Sequence, residues 1–173
     1  MVDLSTFKQA MGSFPSGVVI AATLDAVGKP WGFTASAFSS VSLDPPLVLV
    51  CPAKSAECHA VFMAAEVFSV SILAGTDEAL AKRFATRGIS KFVGDEFVVA
   101  EHGLPLVRDA IASLVCRKFA SHDCGDHTVI VGEVQSLRVA PAGDSMVYYR
   151  RKYWQFTPPD GQPRPAGVPP ARR

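Results

Sequence analysis

The chain has almost no net charge. Lys and Arg number 17 against 16 for Asp and Glu, a formal net charge of +1. That balance gives no electrostatic support for nucleic acid or an anionic membrane as a general partner. No apolar run reaches the ~20 residues that a membrane-spanning helix needs. The N-terminus carries Asp3 where a basic segment would precede an apolar one, so no secretory leader is expected. Cys51, Cys58, Cys116 and Cys124 are scattered, with no C-x-x-C pair. The ligand spacing of a zinc site is therefore missing, and no metal is expected. Two of the four cysteines sit in apolar surroundings and read as buried small hydrophobes. A reduced, cytoplasmic protein follows. Also missing are a G-x-G-x-x-G turn after a strand, a P-loop and an H-E-x-x-H helix. No nucleophile–base pair stands out, and there is no internal repeat.

What remains is a chain with 49% hydrophobic residues, enough for one full core. Residues 1–156 read as one folded domain. Residues 157–173 are rich in Pro, Gly, Ala and Arg and read as a mobile tail.

The central stretch is Gly32–Val50. It is small and hydroxylated through Ser42, turns at Asp44-Pro45-Pro46, and then becomes the apolar run Leu47–Val50. That run reads as a fully buried strand. Thr34, Ser36, Ser39, Ser40 and Ser42 would be wasted in a dry interior. Small side chains let backbone N–H groups approach a flat ligand, and hydroxyls can donate to its oxygens. The plainer reading is a Ser-rich edge strand and loop.

Leu4, Phe7, Met11 and Phe14 recur at helical spacing, with Asp3 or Ser5 as N-cap and Gly12 and Pro15 as terminators. This helix is expected to close one end of a barrel. Strands are expected over Val18–Thr23, Trp31–Ser36, Val67–Ile72, Ala112–Ala120, Thr128–Val139, Met146–Tyr149 and Tyr153–Phe156. Ser55 is expected to cap a helix over Ala56–Ala65. A second helix opens at Thr76-Asp77-Glu78, with Lys82 and Arg83 in its last turn, and Arg87-Gly88 breaks it. Lys91–Gly94 reads as a helical turn and His122–His127 as a polar hairpin loop. Gly132 inside a strand signals a bulge or a ligand lying close. The sum is a mainly β fold with helical covers, a closed antiparallel barrel.

Several motifs resemble one family in its own order. These are Phe7–Val18, Gly32–Val50, Arg83-Phe84-Ala85, Gly125-Asp126-His127, Gly132-Glu133-Val134 and Tyr148–Tyr153. Together they are similar to the flavin reductase-like, FMN-binding split-barrel family. The likeness is nearest to the reductases of aromatic polyketide pathways and aromatic-ring hydroxylases. It implies a Greek-key split β-barrel, usually a homodimer. It also implies an NAD(P)H:flavin oxidoreductase that hands reduced FMN, or FAD, to a separate monooxygenase, with NADH or NADPH as co-substrate.

By resemblance, Thr34, Ala35, Ser36, Ala37 and Phe38 line the flavin ring, with Ser40 on the same wall. Cys51, Lys54 and Ser55 fall in the ribityl and phosphate region. Arg83, Phe84 and Ala85 lie beside the flavin tail, and Arg83 otherwise reads as a solvated helix-end charge. His127 is the candidate catalytic residue, placed near flavin and nicotinamide; otherwise it is a surface loop residue. Asp126 reads as a turn residue. Arg150 and Tyr153 either contact the nucleotide or pack the barrel and dimer. In a cofactor enzyme the redox chemistry belongs to the cofactor, which suits a chain without evident acids or bases. The rival reading is a flavin-binding or storage protein of the same fold without catalysis.

Overall fold

The computed structural model describes residues 2–141 and 143–156. The tail expected over residues 157–173, and with it the domain boundary, lies outside them. The order begins with α1 (Leu4–Gly12), β1 (Ser16–Gly17), β2 (Val19–Leu24), β3 (Pro30–Ala35), β4 (Phe38–Leu43) and β5 (Pro46–Val50). It continues with α2 (His59–Ala64), β6 (Val67–Ile72), α3 (Glu78–Ala85), β7 (Phe97–Val99), a 3-10 turn (Glu101–Gly103) and β8 (Pro105–Val107). The last strands are β9 (Ala112–Cys124), β10 (His127–Val139), β11 (Ser145–Tyr149) and β12 (Lys152–Phe156).

Seven strands form one antiparallel sheet in the order β3-β2-β6-β9-β10-β5-β4. This sheet is not closed: β3 and β4 are its two edges. The expected closed barrel is therefore corrected to an open one, as the split-barrel likeness implies. A second sheet, β1-β11-β12, and the pair β7-β8 complete the architecture.

β2 and β6 are short, rich in β-branched residues and buried on both faces. β2 is buried from Val19 to Thr23, and β6 from Phe68 to Ser71. One core gathers Val19, Ala21, Phe33, Val50, Phe62, Phe68 and Ile130. A second lies under α3 and gathers Ile20, Leu73, Leu80, Phe84, Val107 and Met146. Polar groups inside these layers are tied to backbone: Thr23 Oγ1 donates to Val67 O at 2.7 Å and Ser69 Oγ to Pro105 O at 2.6 Å. Such pairing removes most of the cost of burying a hydroxyl.

Several expectations change. Leu47–Val50 is not buried throughout: Val48 and Val50 face the core, while Leu47 and Leu49 stay half exposed. The strand alternates because only one of its faces is covered. α2 starts at His59, later than a cap at Ser55 would place it; its N-cap position is Cys58, with no side-chain cap bond. Lys91–Gly94 contains no helix. The His122–His127 loop shrinks to Gly125-Asp126, because β9 and β10 pair up to Cys124 and His127. Gly125, at φ 65°, supplies the left-handed backbone such a two-residue turn requires.

Gly132 does sit at a bulge, between Val131 and Gly132. The body lying close to it is Phe68, whose Cε1 would be 2.7 Å from an added Cβ. Asp3 caps α1, its carboxylate accepting from Thr6 N at 2.8 Å. The apolar stripe of that helix stays exposed: Leu4, Phe7, Met11 and Phe14 lie on the surface of the single chain.

Candidate functional site

β3 ends at Ala35 and β4 begins at Phe38, so Ser36 and Ala37 are the whole link between the two edges of the main sheet. Both are exposed. In register beside Phe38 is Val50, and beside Val50 is Ile130. The chain leaving Val50 runs through half-buried Cys51 to Ser55 along the end of β10. Thr128 N donates to Pro52 O at 3.1 Å, Ala53 bridges His127, and Lys54 N donates to Asp126 O at 2.8 Å. Three adjacent strands thus bring Ser36, Ala37, Phe38, Cys51, Lys54, Ser55 and His127 to one end of the sheet.

Hydrogen bonds orient the polar groups there. His127 Nδ1 lies 2.7 Å from Asp126 Oδ1. The bond from His127 holds the Asp126 carboxyl below its ordinary range. An ionised carboxylate only accepts, so Nδ1 is the donor in this pair. Lys54 Nζ pairs with Asp123. Burial, and then nearby Cys124, push the Cys51 thiol up, so it stays protonated.

The structure adds a residue whose sequence signal was only that of a helix breaker. Arg87 Nη2 donates to Ser55 Oγ at 2.9 Å, across 32 positions of chain. Among the described residues it has no carboxylate partner. The adjacent Gly88 N donates to Glu57 Oε1 at 3.0 Å, which pins this loop to the one carrying Ser55. No local pattern could have signalled Arg87, because its role comes from a contact between distant loops. Lys91, below it, is structural: its Nζ donates to Gly32 O at 3.2 Å and Phe84 O at 3.0 Å, tying β3 to α3.

Other expected site residues do not join this corner. Thr34 Oγ1 donates to Ala81 O at 2.6 Å, so its hydroxyl is used to hold α3 on β3. Ala35 is buried. Phe84 is 1% exposed and packs edge-on to Phe92 at 4.9 Å, which makes its side chain a core one. Its position follows from α3's apolar face, which buries Leu80, Ala81 and Phe84 together. Arg83 pairs through both guanidinium nitrogens with Glu96, rather than standing solvated at the helix end. Ala85 closes α3 and is exposed; Ser40 is exposed on β4, its carbonyl accepting from Ser39 Oγ at 3.0 Å. Tyr153 packs at a tilt against Tyr148, ring centres 5.2 Å apart, beside the second core, and burial raises its phenol. Arg150 is exposed in the β11–β12 turn.

Two concavities flank this end of the sheet, the seam where β3 passes into β4. One, of about 660 Å³, has Ser36–Ser39 and Leu49 along one wall and Phe7 and Met11 of α1 along another. The second, of about 610 Å³, lies between Trp31-Gly32 and the loop Gly88–Phe92. Exposed backbone and hydroxyls, aromatic walls and an anion-ready corner at Lys54, Ser55 and Arg87 make a donor set suited to a flat ligand with a phosphate. No helix among the described residues is long and apolar enough to cross a membrane.

Known proteins fit this picture. The chain is 40% identical over 151 residues to the actinorhodin polyketide dimerase of Streptomyces coelicolor, covering 87% of this chain and 85% of that one. It is 39% identical over 153 residues to the FMN reductase (NADH) SmoA of Agrobacterium fabrum, covering 88% and 86%. The NADH:FAD oxidoreductase SgcE6 of Streptomyces globisporus, solved with NAD and FAD fragments, superposes with a TM-score of 0.86 at 34% identity. That match covers 94% of this chain and 99% of that one. Residues 11–157 match the family described as the flavin reductase like domain. A match over that span, on an open seven-stranded sheet of this topology, places the chain in the flavin reductase-like domain family.

Proposed function

We propose that this protein is an NADH-dependent flavin reductase that supplies reduced flavin to a separate monooxygenase. The observation that carries this reading is the seam itself. Its exposed small residues share one end of the sheet with the Lys54, Ser55 and Arg87 corner and with the oriented imidazole of His127. Relatives point the same way: one is named a flavin-dependent monooxygenase reductase subunit, HsaB of Rhodococcus jostii, and a solved one is the flavin reductase component BorF of a two-component tryptophan halogenase.

Flavin, when bound, supplies the two-electron centre that accepts hydride from the nicotinamide. The protein's residues bind and orient. Ser36, Ala37 and Phe38 offer backbone N–H groups and a low wall, so a flat ring can lie against the sheet edge. Ser55, Lys54 and Arg87 take the phosphate. His127, its ring fixed by Asp126, directs Nε2 at the second substrate and positions it. Holding two reactants in contact removes much of the entropic barrier, and this is the main catalytic work left to the protein. Thr34, Arg83 and Phe84 support that wall from behind through α3.

The protein acts as a homodimer in the cytoplasm. The exposed stripe of α1 and half-exposed Leu47 and Leu49 support a second copy packing here. Steady-state oxidation of NADH and NADPH with FMN, FAD and riboflavin tests the function. Oxidation dependent on added flavin is expected. Flavin binding without nucleotide oxidation would replace this reading with a storage protein.

A further inference from the structure

A third concavity adjoins the 660 Å³ groove. It has a volume of about 830 Å³, between α1 and the β11–β12 turn. Lys8, Arg150 and Arg151 line it, and Asp3 is its one acidic residue. Asp3 is already engaged as the cap of α1, accepting from Thr6 N at 2.8 Å and Thr6 Oγ1 at 2.9 Å. None of the three cations has an ion-pair partner among the described residues.

The turn is unusual in its residues. Tyr149 pairs with Lys152, so Arg150 and Arg151 form a two-residue hairpin loop. Their φ angles are 47° and 63°. Hairpin turns of this hand favour glycine or asparagine, because a Cβ is strained there. Two long cationic residues are held in a conformation that resists them. The turn is seated on α1 through Arg150 N, which donates to Gly12 O at 2.7 Å. One cation near the C-terminus of α1 would complement the helix dipole. That does not account for three on one cavity. Strained backbone of this kind marks a place where side chains are held for a purpose.

The cavity also joins the seam. Lys8, Gly12 and Arg151 line both it and the 660 Å³ groove walled by Ser36–Ser39. A ligand with a flat ring in the groove therefore has its adjoining atoms beside these cations. We propose that Lys8, Arg150 and Arg151 form a second phosphate subsite that binds the phosphate groups of the pyridine nucleotide. The flavin phosphate is held separately, at Ser55 and Arg87. This proposal rests on the flavin reductase reading.

The test uses the full chain and two substitutions. Arg151→Gly fits its positive φ without strain, and Lys8→Gln lies on an exposed helix face, so both should fold. The double variant should raise KM for NADH about tenfold, the scale of a lost contact to a charged group. Its KM for FMN should rise far less, because Lys8 and Arg151 line the groove but the flavin phosphate is held at Ser55 and Arg87. Inorganic pyrophosphate should compete with NADH in the wild type, and its inhibition constant should rise in the double variant. Unchanged KM for NADH in an otherwise active enzyme would overturn the subsite. So would equal losses for NADH and FMN, or pyrophosphate competing with FMN instead. Pyrophosphate that raises Tm without competing with NADH would make this a free-anion site and overturn the assignment. If wild-type protein oxidises no NADH with any flavin, the underlying function fails, which is a different result from each of these.

Discussion

Removing Arg87 should separate the two parts of the flavin. Its guanidinium donates to Ser55 Oγ at 2.9 Å, and both residues are exposed. Arg87→Ala therefore leaves no buried group unpaired, and stability should change by less than about 0.5 kcal/mol. A hydrogen bond to a charged phosphate is worth about 1.5–3 kcal/mol. Exposure and salt screening put this one near the lower end, about 1.5 kcal/mol. That is roughly a tenfold rise in Kd for FMN. Riboflavin has the same ring and side chain but no phosphate, so its Kd should not move. Equilibrium titration by flavin fluorescence, with both ligands at low and high salt, reads the difference directly. The FMN penalty should shrink as salt rises. Equal losses with FMN and riboflavin would mean that Arg87 shapes the loop rather than holding phosphate. No loss with either would remove it from the site.

Three further changes probe other parts of the design. Thr34→Val deletes the bond to Ala81 O; it should cost about 1 kcal/mol, a Tm drop of roughly 2–4 °C, with the FMN Kd unchanged. A weaker FMN Kd at constant Tm would return Thr34 to the flavin wall. Gly132→Ala would put a Cβ 2.7 Å from Phe68 Cε1 and 3.0 Å from Cys116 Cβ. Overpacking of this kind costs about 1–3 kcal/mol, and Phe68→Leu in the same chain should recover part of it by thermal denaturation. His127→Ala should lower kcat/KM for NADH by roughly tenfold or more while flavin affinity holds. Wild-type kinetics at sub-saturating NADH would show that the Asp126–His127 pair is a surface feature.

Most of the fold was legible because its signals are local. The strand Val67–Ile72 was bounded correctly by its run of β-branched and aromatic residues, and α3 by its acidic start and basic end. What misled was partner geometry. Ser55 looked like a cap, yet α2 begins at His59, because the chain first runs beside β10 to satisfy Pro52 O and Lys54 N. Leu47 and Leu49 looked buried because hydrophobicity does not say whether a strand is covered on one face or two. At the candidate site, the sequence brings forward Ser36, Ala37 and His127, which the fold gathers at one end of the sheet, but not the use of each side chain. Thr34 and Ser36 look alike in sequence. One points at a carbonyl of α3, and the other is exposed at the edge. Arg83 and Arg87 are four residues apart on α3 and its exit, yet Glu96 claims the first and Ser55 the second. Such assignments depend on residues far along the chain, which no periodicity encodes.

The two-residue link at Ser36-Ala37 has a consequence for how tolerant the site is to change. Where the chain crosses from β3 to β4, no neighbouring strand among the described residues uses the main-chain donors and acceptors of the gap. Elsewhere an unpaired sheet edge is a hazard, because another chain can add to it. Here the gap is only two residues long, too short for another strand to pair along it. On the proposed reading, recognition at that gap falls to peptide groups, which every amino acid except proline carries in full. Side chains at positions 36 and 37 can therefore vary in chemistry while the main-chain contact is kept, provided they stay small. On that reading the permanent part of the surface is the interruption in the sheet, and the residues around it set which molecule fits.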